Sequence, residues 1–449
     1  MIKDKVVYWI WLAERCGYGS KHFTGLYELY DDPYDIYRLE PDEIFQLGRR
    51  FPDNFKDRLC DKSLDKAFSI YRTCVKDGIE ILTYEDARYP ERLRLIVDPP
   101  IVLYCLGRVP AFNDRLCIGV VGTRKMTRYG RAAAYRFSYE LSSLGACIVS
   151  GLALGVDATA ACGALEGGEP TVQVLGCGVN IIYPKSHSRL REAVIKNGAL
   201  LSEYPPFEDA KRYYFPQRNR IISGISHGLF VTECRKESGA MITANIAMGQ
   251  GKELFAFPGN VGEPTAEGPN ELLRNGAYAA LSSEDIVSHY QFLLGDPKSC
   301  GEKLSRARAN AIDVTEALRK YSIPDKCEEN ERINHAPLVG EKYDTRAARS
   351  KNERFPIQES IAFEQDETDR AEQAEAREDS SAPTSTARDY GLDPTTARVF
   401  ESIPCNAPVS VDRIVCEGLS TAEVVTALTM LEIMGLVSSL PGGLYIRKY

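Results

Sequence analysis

The chain has 449 residues, too many for one ordinary domain, and its 44% apolar content is enough for a sizeable core. No apolar run reaches the ~18 residues a membrane-spanning helix needs, so a soluble, cytoplasmic protein without a membrane partner is expected. The net charge of −8 comes mostly from residues 351–380, where ten acidic side chains face four basic ones, so the rest is nearly neutral and a nucleic-acid partner stays open.

Thirteen cysteines without a CxxC pair, and five scattered histidines without HxxxH or HExxH, read as reduced thiols in a cytosol with no metal. Glu14 and Arg15 interrupt the first apolar run, and no small-x-small cleavage site follows, which argues against a signal peptide.

Residues 1–75 carry many aromatics and acidic turns (YDDPYD, LEPDEIF) and read as a small bundle of short helices. From 76 to 294 the pattern alternates. Apolar runs at 116–121, 146–151, 171–176, 228–233 and 253–259 read as strands, with helical stretches and Gly-containing joints between them. Continuous apolar strands alternating with helices predict an α/β core, a parallel sheet covered on both faces. Residues 295–388, poor in aromatics and rich in Glu, Ala, Arg and Ser, read as an acidic disordered linker. Residues 389–449 regain a core pattern: helices near 395–402 and 410–416, a third opened by a Ser420/Glu423 capping box, then a hairpin over Pro441–Gly443. That set predicts a winged helix.

In VVGTRKMTRYG (120–130) a strand ends at a glycine and a helix follows. Such a loop lies where ligands bind in α/β sheets, and its backbone N–H groups favour anions. Arg124, Lys125 and Arg128 add positive charge, so the loop is either a phosphate cradle or a solvated turn. G-x-G-x-x-G is incomplete here and at GCGVNI (176–181), and no P-loop motif occurs, so no NAD, ATP or other cofactor is expected. SGLALGVDATA (150–160) is a second strand-to-helix junction with Asp157 placed as a cap, equally open to a packing or a ligand role. KRYYFPQRNR (211–220) sets Lys211, Arg212, Arg218 and Arg220 around Tyr213, Tyr214 and Phe215. Cations that track a phosphate backbone and rings on which bases stack suit a single-stranded nucleic acid. The competing reading puts the rings in the core and leaves the cations solvated. At CRKESGAMITANIA (234–247), Ser238 is read as a helix cap, since no histidine is patterned to activate it as a nucleophile.

The ordered segments VVGTRKMTRYG, SGLALGVDATA, VLGCGVNIIYP, LLSEYPP, FPQRNRIISGIS, ESGAMITANIAMGQGKELFAFPG and EGPNELLRNGA resemble the signature of the DNA-processing protein A (DprA/Smf) family, and GLVSSLPGGLYIR is similar to its C-terminal winged helix. The resemblance covers all but the linker. It implies an N-terminal sterile-alpha-motif-like (SAM-like) helical domain, a Rossmann-like parallel-sheet core and a winged-helix tail. It further implies a non-enzymatic homodimer that binds single-stranded DNA, protects it, and loads RecA recombinase during natural transformation. Carried over by position, the DNA contacts are Gly122, Thr123, Arg124, Lys211, Arg212, Phe215, Arg218, Asn219 and Arg220.

One departure from the family pattern and one feature of the tail stand out, beside a linker that is long and acidic for the fold. Leu154 occupies the place of an arginine in the family's S-G-x-A-R-G-I-D pattern, which removes one cationic contact or internal ion pair. The third helix of the tail has no basic residue between Ser420 and Met434, so a protein-binding or regulatory role is expected of it rather than base reading. The alternative from another class is a nucleotide-processing enzyme like the lysine-decarboxylase-like phosphoribohydrolases, but FPGNVGEPTAEG lacks that family's Gly-Thr-x-x-Glu. A metal-dependent nuclease would need paired carboxylates, and the core shows no D-x-D.

Overall fold

The structure is a computed structural model that describes residues 5–324, 394–403, 409–410, 414, 421–433, 436–440 and 444–447. The chain falls in two units, Met1–Pro337 and Leu338–Tyr449.

The first unit opens with six helices, from α1 (Val6–Cys16) to α6 (Asp65–Asp77). Trp9, Trp11, Phe23 and Phe55 are buried among them and share one apolar cluster with Ile79, Ile101 and Leu200 from the sheet region. The helical segment is therefore packed onto the core, and it runs two residues past 75.

A nine-stranded sheet follows: β1 (Glu80–Thr83), β2 (Val102–Gly107), β3 (Cys117–Val121), β4 (Cys147–Ser150), β5 (Thr171–Val174), β6 (Ala199–Ser202), β7 (Gly228–Val231), β8 (Glu253–Ala256) and β9 (Tyr278–Ala279). Their spatial order is β1-β2-β6-β5-β4-β3-β7-β8-β9. β1 and β2 are antiparallel additions; from β6 to β9 every pairing is parallel. All five residues of β3 are buried, as a strand covered on both faces requires. Helices α7 (Glu91–Arg94), α8 (Arg128–Ser143), α9 (Val156–Gly167), α10 (Ser188–Asn197), α11 (Tyr214–Ile225), α12 (Gly239–Gly249), α13 (Glu267–Arg274), α14 (Ser283–His289) and α15 (Gln291–Leu294) complete the layers. Phe137 of α8 stacks on Phe230 of β7 at 4.5 Å, while Ile221 of α11 and Ala244 of α12 pack in a separate cluster with Leu229 of β7.

The expected linker boundary at 295 is corrected. Helices α16 (Pro297–Asn310) and α17 (Val314–Lys320) belong to the folded unit. Asp296 caps α16 by accepting from Ser299 N at 3.0 Å, and Cys300, Leu304 and Ala307 form one buried stripe. Arg308 pairs with the buried Glu140 of α8 at 3.0 Å and with Glu284 at 2.7 Å. The polar composition of the segment hid a stripe only three side chains wide. The rest of the expected linker, 325–388, lies outside the described residues.

In the second unit, α18 (Pro394–Glu401) and α19 (Thr421–Ile433) pack Val399, Phe400, Leu428 and Leu431 together. A three-stranded antiparallel sheet, β10 (Val409–Ser410), β12 (Leu444–Arg447) and β11 (Val437–Leu440) in that order, accompanies them. Ser410 is in a strand rather than opening a helix. Ser420, the rest of the expected 410–416 helix except Ile414, and the 441–443 turn lie outside the described residues.

Candidate nucleic-acid interface

Strand order reverses between β3 and β7, so the crevice outside their carboxyl ends is the place where an α/β sheet offers a ligand site. Three junctions meet near it: the loop from β3 to α8, the loop from β4 to α9, and the turn that opens α11.

In the first junction, Gly122 is there for space. A Cβ would stand 2.6 Å from Val156 and 2.7 Å from the Thr232 hydroxyl. Thr123 donates its N–H to Glu233 O at 2.6 Å, and its hydroxyl closes a small turn by accepting from Lys125 N at 3.1 Å. The N-terminus of α8 is already filled. Buried Glu233 accepts from Thr127 N at 2.9 Å and from the Thr127 hydroxyl, and Gly130 has no Cβ because that carboxylate occupies its place. Burial raises the pKa of Glu233, while the hydrogen bonds from Thr127 and Gly130 pull it back. The expected phosphate cradle is thus corrected in part. The helix end holds the protein's own carboxylate, and the loop offers a ligand its rim, where Arg124 is exposed.

KRYYFPQRNR is part turn and part helix, because α11 begins at Tyr214. The fold divides its cations. Arg218 is 4% exposed and points into the strand ends, donating to Gly151 O at 2.9 Å and to Val174 O. Its burial lowers its pKa, and the nearby Asp157 carboxylate opposes that. Asp157, also buried, is raised for the same reason. Arg220 is 5% exposed; it donates to Glu203 at 2.6 Å and lies 3.2 Å from Asp98. Both arginines, expected as direct contacts, are buried struts. Asn219, half-buried between them, accepts from Arg218 Nε at 3.2 Å.

The other two cations remain at the surface. Lys211 donates to Glu208 at 2.6 Å, an exposed pair that raises the lysine's pKa. Arg212 is exposed and forms no ion pair among the described residues. Of the three rings, Tyr213 is exposed, Tyr214 is buried in a 3.9 Å stack on Tyr204, and Phe215 is half-buried.

Phe215 borders a cleft with Arg124, Gly151, Leu152, Leu154, Leu175, Gly176 and Tyr183. The Arg124 guanidinium lies over its ring at 5.7 Å, and Tyr183 stands 5.4 Å away. The enclosed space is about 40 Å³, so a base would lie across the aromatic rim rather than inside it. Sequence reasoning did not single out Tyr183. Its signal was the aromatic in VLGCGVNIIYP, which only folding brings beside Phe215. Leu154 lies at the lip of this cleft and is 44% exposed, so an arginine there would have reached solvent.

Sheet order, helix cover and the small helix-and-strand unit define a Rossmann-like core accompanied by a winged-helix domain. Residues 80–291 match the family described as DNA recombination-mediator protein A, and residues 381–443 match the DprA winged helix domain. A DNA processing protein DprA of Streptococcus pneumoniae is 34% identical over 288 residues, covering 64% of this chain and 98% of that one. One from Bacillus subtilis is 38% identical over 223 residues, covering 50% of this chain and 74% of its own length. A crystal structure of the Streptococcus pneumoniae protein aligns with TM-score 0.55 and 29% identity over 63% of this chain and 97% of that one. The chain belongs to the DprA/Smf family of DNA recombination mediators.

Proposed function

We propose that the chain binds single-stranded DNA along the rim made by Gly122, Thr123, Arg124, Lys211, Arg212, Phe215 and Asn219, with Tyr183 added, and that Arg218 and Arg220 shape this rim from beneath. The observation that carries the reading is a pairing at one sheet edge: two cations without ion-pair partners among the described residues, Arg124 and Arg212, beside the rings of Tyr213, Phe215 and Tyr183. Phosphates track the cations and bases stack on the rings, so binding is sequence-tolerant and salt-sensitive.

Within that reading the protein is a cytoplasmic homodimer without catalysis. It protects incoming single strands and hands them to RecA recombinase during natural transformation; family membership supports this part. The phosphoribohydrolase alternative loses support from Glu233, whose carboxylate fills the helix end at which a nucleotide phosphate would sit. The test is fluorescence anisotropy of labelled oligo-dT and of the matching duplex across a salt series. Tight, salt-dependent binding to the single strand is expected; equal affinity for duplex, or none for either, overturns the reading.

A further inference from the structure

The turn between α1 and α2 (His22–Tyr27) reads Gly17-Tyr18-Gly19, with φ of 80° and 69° at the two glycines. It reaches out of the N-terminal helices to the start of α11 at one place and to Glu203, the partner of Arg220, at another. At the first, the Tyr18 ring stands edge-on to Tyr204 (5.0 Å, 72°) and Tyr214 (6.2 Å, 87°), the pair whose stack starts α11 immediately before Phe215. The Tyr18 hydroxyl is held by Glu14 of α1 at 2.7 Å, so the ring is fixed to its own helix. At the second, Gly19 N donates to Glu203 Oε1 at 3.1 Å, the same oxygen that accepts from Arg220 further along α11. A side chain at Gly19 would be strained by its φ, and its Cβ would lie 3.6 Å from the Arg220 guanidinium.

We propose that the N-terminal helical segment is a positioning element for the nucleic-acid rim: Tyr18 and Gly19 are positioning residues that set the start and pitch of α11, and through it the place of Phe215 and Arg212. The inference rests on the single-strand reading above. Tyr214 cannot shift without carrying Phe215, its neighbour in the first helical turn. The edge of the Tyr18 ring adds to the contacts that Tyr204, Lys211 and Glu208 make with Tyr214, and through the Tyr18 hydroxyl it links that ring to Glu14 of α1. Stacking requires a ring in a defined plane, whereas a flexible cation finds its phosphate from several positions. Loss of the latch therefore weakens stacking more than charge contact.

The test uses the full chain with Tyr18→Ala, Tyr18→Phe and, as a control in the same helical segment, Tyr27→Ala, whose ring packs on Trp9, Phe23 and Tyr84 rather than on α11. Oligo-dT affinity is read by anisotropy across a salt series, with thermal melting alongside. Tyr18→Ala is expected to weaken binding about 5- to 20-fold with an unchanged salt slope, as for lost stacking. Tyr18→Phe, which keeps the edge-on ring contacts but loses the hydroxyl's bond to Glu14, should fall between wild type and Tyr18→Ala, and Tyr27→Ala should lower the melting temperature without changing affinity. Wild-type affinity in Tyr18→Ala, or equal weakening in Tyr27→Ala, overturns the inference and leaves the binding reading intact. Failure of the wild type to bind overturns both.

Discussion

Replacing Arg220 by alanine separates a buried strut from a phosphate contact. The guanidinium sits among Glu203, at 2.6 Å and itself 6% exposed, and Asp98, at 3.2 Å. Burial works against its charge, and the two carboxylates more than offset this, so Arg220 stays charged throughout the working pH range. Truncation strands a buried carboxylate, a loss of about 3–5 kcal/mol. At roughly 2–4 °C per kcal/mol for domains of this scale, the melting temperature should fall by about 6–20 °C.

The loss has a pH signature. Burial already raises the pKa of Asp98, and Arg220 restrains it. Without the arginine, Asp98 rises further above its unfolded value. A carboxyl raised on folding costs stability as pH climbs through its unfolded and then its folded pKa. The variant should therefore be closest to wild type in acid, near pH 4, and lose ground toward pH 8. Thermal and urea melts at several pH values measure this, and anisotropy well below the melting temperature measures binding. An unchanged melting temperature, together with a salt slope shallower by about 0.7, would identify Arg220 as an exposed phosphate contact and refute the argument.

Other substitutions divide the rim by chemistry. Arg124→Ala should make the slope of log affinity against log salt shallower by about 0.7, the value for one phosphate contact on a single strand, whereas Phe215→Ala should cost about 1–3 kcal/mol of binding without changing the slope. Leu154→Arg places a cation at the exposed lip of the cleft beside Arg124 and should tighten binding to oligo-dT and steepen its salt slope by about 0.7; no change in the slope would show that the strand does not pass this lip. Glu284 is partly buried, which opposes its charge, but its bond to Arg308 outweighs burial and lowers its pKa. Its contribution is present above the ordinary pKa near 4.5 and is lost as pH falls through the lowered folded value. Acid melts of wild type and Arg308→Ala should therefore draw together as pH falls below 4.5.

Much of this protein was legible before folding. The apolar runs of β3, β4, β5, β7 and β8 have little polar surface to expose, so they had to be covered strands, and helices between them imposed a parallel sheet. The position of KRYYFPQRNR at the sheet's ligand edge followed from its place after ALLSEY. What covers α11 was the missing information. α11 starts at Tyr214 and is covered on more than one side, so Arg218 meets the strand ends and Arg220 meets Glu203 and Asp98, while Lys211 and Arg212 precede the helix at the surface.

Charge composition and segment order are local properties, and they were sufficient for the sheet, the helical N-terminus and the basic, aromatic character of one edge. Which cation meets solvent, and which carboxylate fills a helix end, depends on partners far away in the chain. Glu203 lies 17 residues from Arg220, Glu233 lies 106 from Thr127, and Gly19 lies 184 from Glu203. Only the tertiary structure decided these, because burial turns an arginine from a ligand contact into a strut when a carboxylate is brought within hydrogen-bonding distance, and no local pattern encodes that meeting.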